Sequence, residues 1–292
     1  MLFRSKIPPG TNGAVGLNHL MVTLNSEVRI QNRTGTEVSK VTLENFWSTV
    51  TTAGSNGVFS PRIVFDRVRQ RWYFTAACAR AAAGSSILVG ASQTDDPTGM
   101  WNLFRIDVDS TNTYWVDSPS IGYNKDWVVV SANLYFISNN SFWGTDVYVF
   151  GKNNLQAGSA AFSRFEPVGL QVPAVTHDSQ LGTLYLVEEF DNDIGSGVGE
   201  YAVSTITGAV GTETYNETVS KATIVGTWAT SSTNMVDFAP QQGTATKIQT
   251  GDSRPASVVY RNGTLWVSQT VFLPTAAPTR ASVQRSEEHT SE

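Results

Sequence analysis

One hairpin-like phrase occurs four times along this chain, and that recurrence restricts the possible fold more than any other feature. SPRIVFDRVRQRWYF at Ser60–Phe74 opens on a proline, crosses an apolar stretch, turns through an Asp-containing segment and re-enters an apolar stretch at a Trp. Altered copies begin at Ser118 (SPSIGYNKDWVVVS), Val172 (VPAVTHDSQLGTLYLV) and Arg254 (RPASVVYRNGTLWVS). Pro61, Pro119, Pro173 and Pro255 mark the first strand of each copy, and Trp72, Trp127, Tyr185 and Trp266 open the second. The prolines are 58 (119 − 61), 54 (173 − 119) and 82 (255 − 173) residues apart. The first two spacings suit one four-stranded unit, somewhat longer than the roughly 40–50 residues of common propeller repeats. The third contains an insertion, Ser231–Asp252.

Between these markers, short runs alternate apolar and polar residues, as in Val28 and Ile30 against Arg29 and Gln31, which is the period of a half-buried strand. No amphipathic helical pattern occurs. The expected fold is therefore all-β: a β-propeller of four-stranded blades, with about five blades present in what reads as a fragment of a six- or seven-bladed ring. A β-sandwich is the alternative, but it does not require one hairpin to return four times. Residues 1–284 form a single domain on this reading. The last eight residues, Arg285–Glu292 (RSEEHTSE), match the in-frame translation of a short-read sequencing adapter and are set aside as a non-native tail.

Composition excludes several functions. Charged residues make up 15% of the chain and the formal net charge is −5, so no phosphate-neutralising surface is expected and nucleic acid is excluded as a partner. No apolar run approaches the roughly 20 residues of a membrane span, and the first residues lack the apolar core of a signal peptide. Cys78, the single cysteine, lies in the apolar run FTAACARAA and reads as a small buried residue. A monomer is expected.

The phrases GAVGLNHLMVTLN, PRIVFDRVRQRWYF, DDPTGMWNLFRID, DSPSIGYNKDWVVVSANLY and APQQGTATKIQTGDSR resemble a family of secreted bacterial proteins with a sialidase-like propeller and no assigned activity. The resemblance implies a secreted or cell-surface setting and a glycan or extracellular protein as partner. Asp-box turns of the form S-x-D-x-G-x-T-W, which a true sialidase would carry, are absent.

Residues leading into the innermost strands of a propeller gather at one mouth of its axis. Here those positions carry Asn18, His19, Arg62, Asp117, Asp252 and Arg254. Arg62 and Arg254 could clamp a carboxylate or phosphate, because a guanidinium presents paired donors to such groups. Asp117 and Asp252 are the candidate acid and base, on the pattern of two carboxyl groups flanking a glycosidic bond. The structural alternative is that these side chains pair with one another and hold neighbouring blades together. Trp115 and Trp143 fall outside the repeat positions and are candidate sugar platforms. In EEFDNDIGSG, Asp191 and Asp193 with Gly195 begin a D-x-D-x-G pattern, so a structural calcium is the only cofactor considered. The expected function is a non-catalytic extracellular binding or display module; the alternative is a sialidase-like glycoside hydrolase or a lyase working at the axial mouth.

Overall fold

The computed structural model describes residues 10–51, 57–166, 169–230, 239–248 and 250–289. The segment 231–238 of the expected insertion lies outside them.

The first sheet takes its strands in chain order: β1 (Asn12–Val15), β2 (His19–Thr23), β3 (Glu27–Asn32) and β4 (Glu37–Thr42). A single turn of helix, α1 (Leu43–Phe46), follows β4; the Thr42 hydroxyl accepts from the Asn45 amide and so caps it. The second sheet repeats the meander with β5 (Val58–Asp66), β6 (Arg71–Cys78), β7 (Ser86–Ser92) and β8 (Trp101–Asp107). The third does so with β9 (Tyr114–Tyr123), β10 (Trp127–Phe136), β11 (Phe142–Gly151) and, after the short α2 (Lys152–Gln156), β12 (Phe162–Phe165).

In the fourth sheet the first strand is broken. β13 (Val172–Pro173) pairs with β15 (Leu184–Gly195), which continues into β16 (Val198–Ala209) and β17 (Thr212–Val225). β14 (Val175–Thr176) leaves that sheet to lie parallel to β9 on one side and to β20 on the other. A hairpin of β18 (Ala239–Gln241) and β19 (Thr244–Ile248) precedes the last antiparallel group, β20 (Pro255–Arg261), β21 (Thr264–Leu273) and β22 (Arg280–His289). β22 includes residues of the adapter-like tail, which pair with β21 through backbone bonds that make little demand on side-chain type.

Pro61, Pro119, Pro173 and Pro255 all lie on the first strand of their sheets, as the repeat requires. These first strands neighbour one another in series: β1 packs on β5, β5 on β9, and β9 on β13, with β13 and β14 meeting β20. At Gly122 a Cβ would stand 2.5 Å from the Ala174 carbonyl oxygen, so only glycine lets β9 approach that closely.

Apolar clusters fill the gaps between successive sheets. Met21, Trp47 and Trp72 pack between the first and second, and Tyr73, Val89, Val128 and Phe150 between the second and third. Trp127, Val149 and Leu186 fill the next gap, and Tyr201, Trp228 and Val267 the last. β10 shows the principle: Val128 and Val130 face one neighbouring sheet while Trp127 and Val129 face the other. A strand covered on both faces reads as a continuous apolar run, which explains WVVVSANL.

At the end of the sheets opposite the one where first strands begin, Lys152 is 1% exposed and its ammonium bonds both the Asp66 carboxylate and the Asn124 carbonyl. It also lies 4.5 Å from the centre of the Tyr123 ring. Asp66, equally buried, accepts the amides of Val68 and Arg69. The pair ties the end of β5 to the start of α2, and so joins the second and third sheets.

Candidate active site

Three of the first strands are distorted near their prolines. The register with the second strand shifts between Phe59 and Arg62, opposite Ser118–Asp117 between Ser131 and Asn133, and between Pro255 and Ser257. Ser60 and Ser118, immediately before Pro61 and Pro119, have φ of 53° and 52°. A residue preceding proline ordinarily stays extended, so both are held in a disfavoured conformation by their partners. The Asn25 carboxamide oxygen accepts the Ser60 amide at 2.7 Å, and Asp117 accepts the Ser118 amide at 2.6 Å and the Ser60 hydroxyl at 2.9 Å. Bulges of this kind redirect side chains, and here the residues around them line one cleft of about 360 Å³.

Ser60, Arg62, Ser118, Ser120, Asp252 and Arg254 face that cleft. They come from the second, third and fifth strand groups, while Gly10 and Asn25 add the first. Arg254 holds Asp252 in a two-point contact, Nε to Oδ1 at 2.7 Å and Nη2 to Oδ2 at 2.5 Å. Burial opposes the Arg254 charge, but these bonds outweigh it and raise its proton affinity, and the Tyr135 hydroxyl adds to the effect. Arg62 is differently placed. Among the described residues its one hydrogen-bond acceptor is the Pro61 carbonyl, 3.1 Å away, and no carboxylate lies within ion-pair distance. Burial, and then the Arg254 charge beside it, lower the proton affinity of Arg62, with Asp117 pulling the other way.

Asp117 stands beside the cleft with its second oxygen 3.9 Å from Arg80. The Arg80 guanidinium in turn lies 5.4 Å from the Trp115 ring centre, and Trp115 stacks on Tyr135 at 5.1 Å. Glu189 ends this series on the fourth sheet. Its carboxylate accepts the Trp228 indole N–H at 2.5 Å and the hydroxyl of Ser253, which lies between Asp252 and Arg254 in sequence. Burial raises the Glu189 pKa, the bonds from Ser253 and Trp228 lower it, and Asp252 raises it again; the net direction is upward.

The structure thus brings together four of the expected site residues, Arg62, Asp117, Asp252 and Arg254. Asn18 and His19 lie elsewhere. AVGLNHLMVTLN does not run as one strand: it turns at Gly16–Asn18 after the short first strand β1, which carries His19 to the opposite end of the sheet, 4.0 Å from Asp96. Trp115 is only 4% exposed, so its expected role as an open platform is corrected: it is a wall behind Arg80. Trp143 is 56% exposed. Asp191 and Asp193 spend an oxygen each on the amides of Asp193 and Gly195 at a hairpin tip, and no group of three or more metal-ligating side chains occurs among the described residues.

Arg80, Tyr135 and Glu189 were not foreseen. Each sits at or just past the point where the second strand of its sheet returns to the mouth. Counting forward from Trp72, Trp127 and Tyr185 to the end of each apolar run would have found them.

Because the Trp228 bond favours the charged form of Glu189, Trp228→Phe should raise the Glu189 pKa further. A carboxyl titration of both proteins followed by NMR checks the upward shift.

No protein-family model and no curated protein matches this sequence. Among solved structures, the chain is similar to an endo-arabinanase from Bacillus licheniformis, at 12% identity over 98% of this chain and 96% of that one, with a TM-score of 0.44. It is similar to the subtype N11 neuraminidase-like protein of A/flat-faced bat/Peru, at 8% identity over 97% and 74%, with a TM-score of 0.49. A third is an endo-1,5-α-L-arabinanase from Thermotoga petrophila, at 12% identity over 98% and 72%, with a TM-score of 0.45. Several others are also glycoside hydrolases by name, including a xylan β-1,4-xylosidase from Bacillus halodurans. These names correct the expectation of a non-catalytic binding or display module, and with it the expectation that the chain is not an enzyme. At such low identity, the activity of this chain must be argued from its own residues.

Proposed function

We propose that this protein is a glycoside hydrolase that cleaves a carboxylate-bearing glycan at the cleft where first strands converge. The observation that carries the reading is Arg62: a half-buried guanidinium, next to a second one, with donors left unspent on any carboxylate. Arg62, Arg80 and Arg254 against Asp117 and Asp252 leave a net charge of 3 − 2 = +1 around the cleft, which suits one anionic sugar. In a chain of net charge −5 this is a local reversal of sign.

Asp252 is the carboxylate that faces the cleft, and it serves as base or nucleophile. Glu189, bonded to Ser253 between Asp252 and Arg254, is the carboxyl with a raised proton affinity that stands next to Asp252, and it serves as acid. Asp117, fully engaged by Ser60, Ser118 and Arg80, orients the donors of the mouth.

Supporting a ring of five sheets around one axis, Gly10 and Asn25 of the first sheet face Gly251–Ala256 of the last across the same cleft. An extracellular glycan as substrate implies a secreted or surface setting, which a single buried thiol at Cys78 permits.

The test is turnover of fluorogenic uronides and sialosides and of acidic polysaccharides by the full chain. Arg62→Met is expected to raise KM by about a hundredfold, the value of a lost charged contact to the substrate carboxylate. Absence of turnover across the whole panel, or equal activity on neutral and acidic substrates, would sink the proposal.

A further inference from the structure

The turns of the recurring hairpins meet at the end of the axis opposite the cleft, where first strands finish. Arg67 follows β5, Tyr123 ends β9, His177 follows β14 and Arg261 ends β20. The registers set them side by side. Val175 pairs with Tyr123 on one flank of β14 and Thr176 with Tyr260 on the other, so the next residues of that parallel pair are His177 and Arg261. Arg67 and His177 line a cavity of about 300 Å³, whose other walls are β1, β5 and β14 and include Val15, Phe65 and Val175.

Two hydrogen bonds fix which imidazole nitrogen is open. The Tyr123 hydroxyl donates its one proton to the Phe65 carbonyl at 3.0 Å, so toward His177 Nδ1, 3.3 Å away, its oxygen can only accept. Nδ1 therefore carries the proton, and Nε2 keeps its lone pair in the neutral ring. Desolvation, and then the Arg67 charge, lower the proton affinity of this ring, with Asp66 opposing them and Arg261 adding to them. Among the described residues neither Arg67 nor Arg261 has a hydrogen bond or an ion pair. The nearby carboxylates are engaged elsewhere: Asp66 by Lys152 and the amides of Val68 and Arg69, and Asp178 by the Gln180 amide.

Two guanidinium groups with open donors suit a tetrahedral oxyanion, and a bare imidazole nitrogen between them suits one that still has a proton to give. Hydrogen phosphate meets that requirement at neutral pH, and a phosphate monoester meets it below its second pKa of about 6. Sulfate does not. We propose that Arg67, His177 and Arg261 form a phosphate site at the end of the axis opposite the cleft, with both arginines donating to the anion and the anion donating its remaining proton to His177 Nε2. The site shares no side chain with the cleft and is independent of the activity proposed there.

The experiment titrates the isotope-labelled full chain with inorganic phosphate, sulfate and glucose 6-phosphate, following imidazole nitrogens by NMR and heat by calorimetry. His177→Gln assigns the signal against His19 and His289. The expected results are an Nδ1–H tautomer at His177, a shift of its Nε2 on adding phosphate, and sulfate binding about tenfold weaker or worse. Arg67→Met and Arg261→Met should each weaken phosphate binding by about tenfold, the usual value of a charged hydrogen bond. Both side chains are exposed, so thermal stability should not change. Tighter binding of inorganic phosphate assigns the site to the free ion, and tighter binding of glucose 6-phosphate near pH 6 assigns it to a phosphorylated sugar. An Nε2–H tautomer, an Nε2 signal indifferent to phosphate, equal affinity for sulfate, or undiminished phosphate affinity in both arginine variants overturns the proposal.

Discussion

Glu189→Gln is expected to lower kcat by about 10²–10⁴, the usual share of a positioned proton donor. The amide keeps the shape of the side chain and an acceptor oxygen for Ser253 or Trp228, so the loss reports the proton and not a collapsed loop. Two further measurements distinguish a proton donor from a prop. The loss should shrink on nitrophenyl glycosides, whose leaving group departs without being protonated. In the wild type, the rate should fall with rising pH at a point above the ordinary glutamate range, because burial raises this carboxyl. That limb should vanish in Glu189→Gln. A variant with full kcat on natural substrates would remove Glu189 from the chemistry and return the acid role to Asp117.

Lys152→Met should cost about 3–5 kcal/mol of stability, since it strands the Asp66 carboxylate in a site that is 1% exposed. Asp66 would keep the amides of Val68 and Arg69 but lose its countercharge. The measurement is the denaturant midpoint, with an unchanged slope confirming that only stability moved. Adding Asp66→Asn to Lys152→Met should recover part of the loss, because the pair then leaves no uncompensated charge. If the single variant lies within about 0.5 kcal/mol of wild type, a value typical of surface changes, the pair does not hold the second and third sheets together. The cleft lies at the other end of these sheets, so its ligand affinity at temperatures where the variant is folded should be unchanged.

Much of the fold could be read from the chain before any coordinates. The proline that opens each copy of the hairpin cannot donate to a ladder, and it recurs on the first strand of successive sheets. The apolar runs WVVVSANL and ILVGAS follow from burial on both faces. What escaped notice was short and local: β1 is four residues long, α1 is one turn, and the first strand of the fourth sheet splits into β13 and β14. Four residues give too little pattern for a period to show, and β14 is defined by partners far away in sequence.

The site was half legible. Arg62, Asp117, Asp252 and Arg254 were found because a repeat makes positions comparable, and comparable positions meet near a common axis. Their roles were not. Sequence cannot say that Arg254 spends itself on Asp252 while Arg62 meets no carboxylate, that Trp115 is buried and Trp143 open, or that Glu189 bonds Ser253 across 64 residues. The period of the chain determined which residues come to the mouth, because backbone pairing and alternation depend on local chemistry that each residue carries with it. Which of them carry free charge, a raised proton affinity or an open ring depends on what stands within a few ångströms from other sheets, and only the tertiary structure decided that.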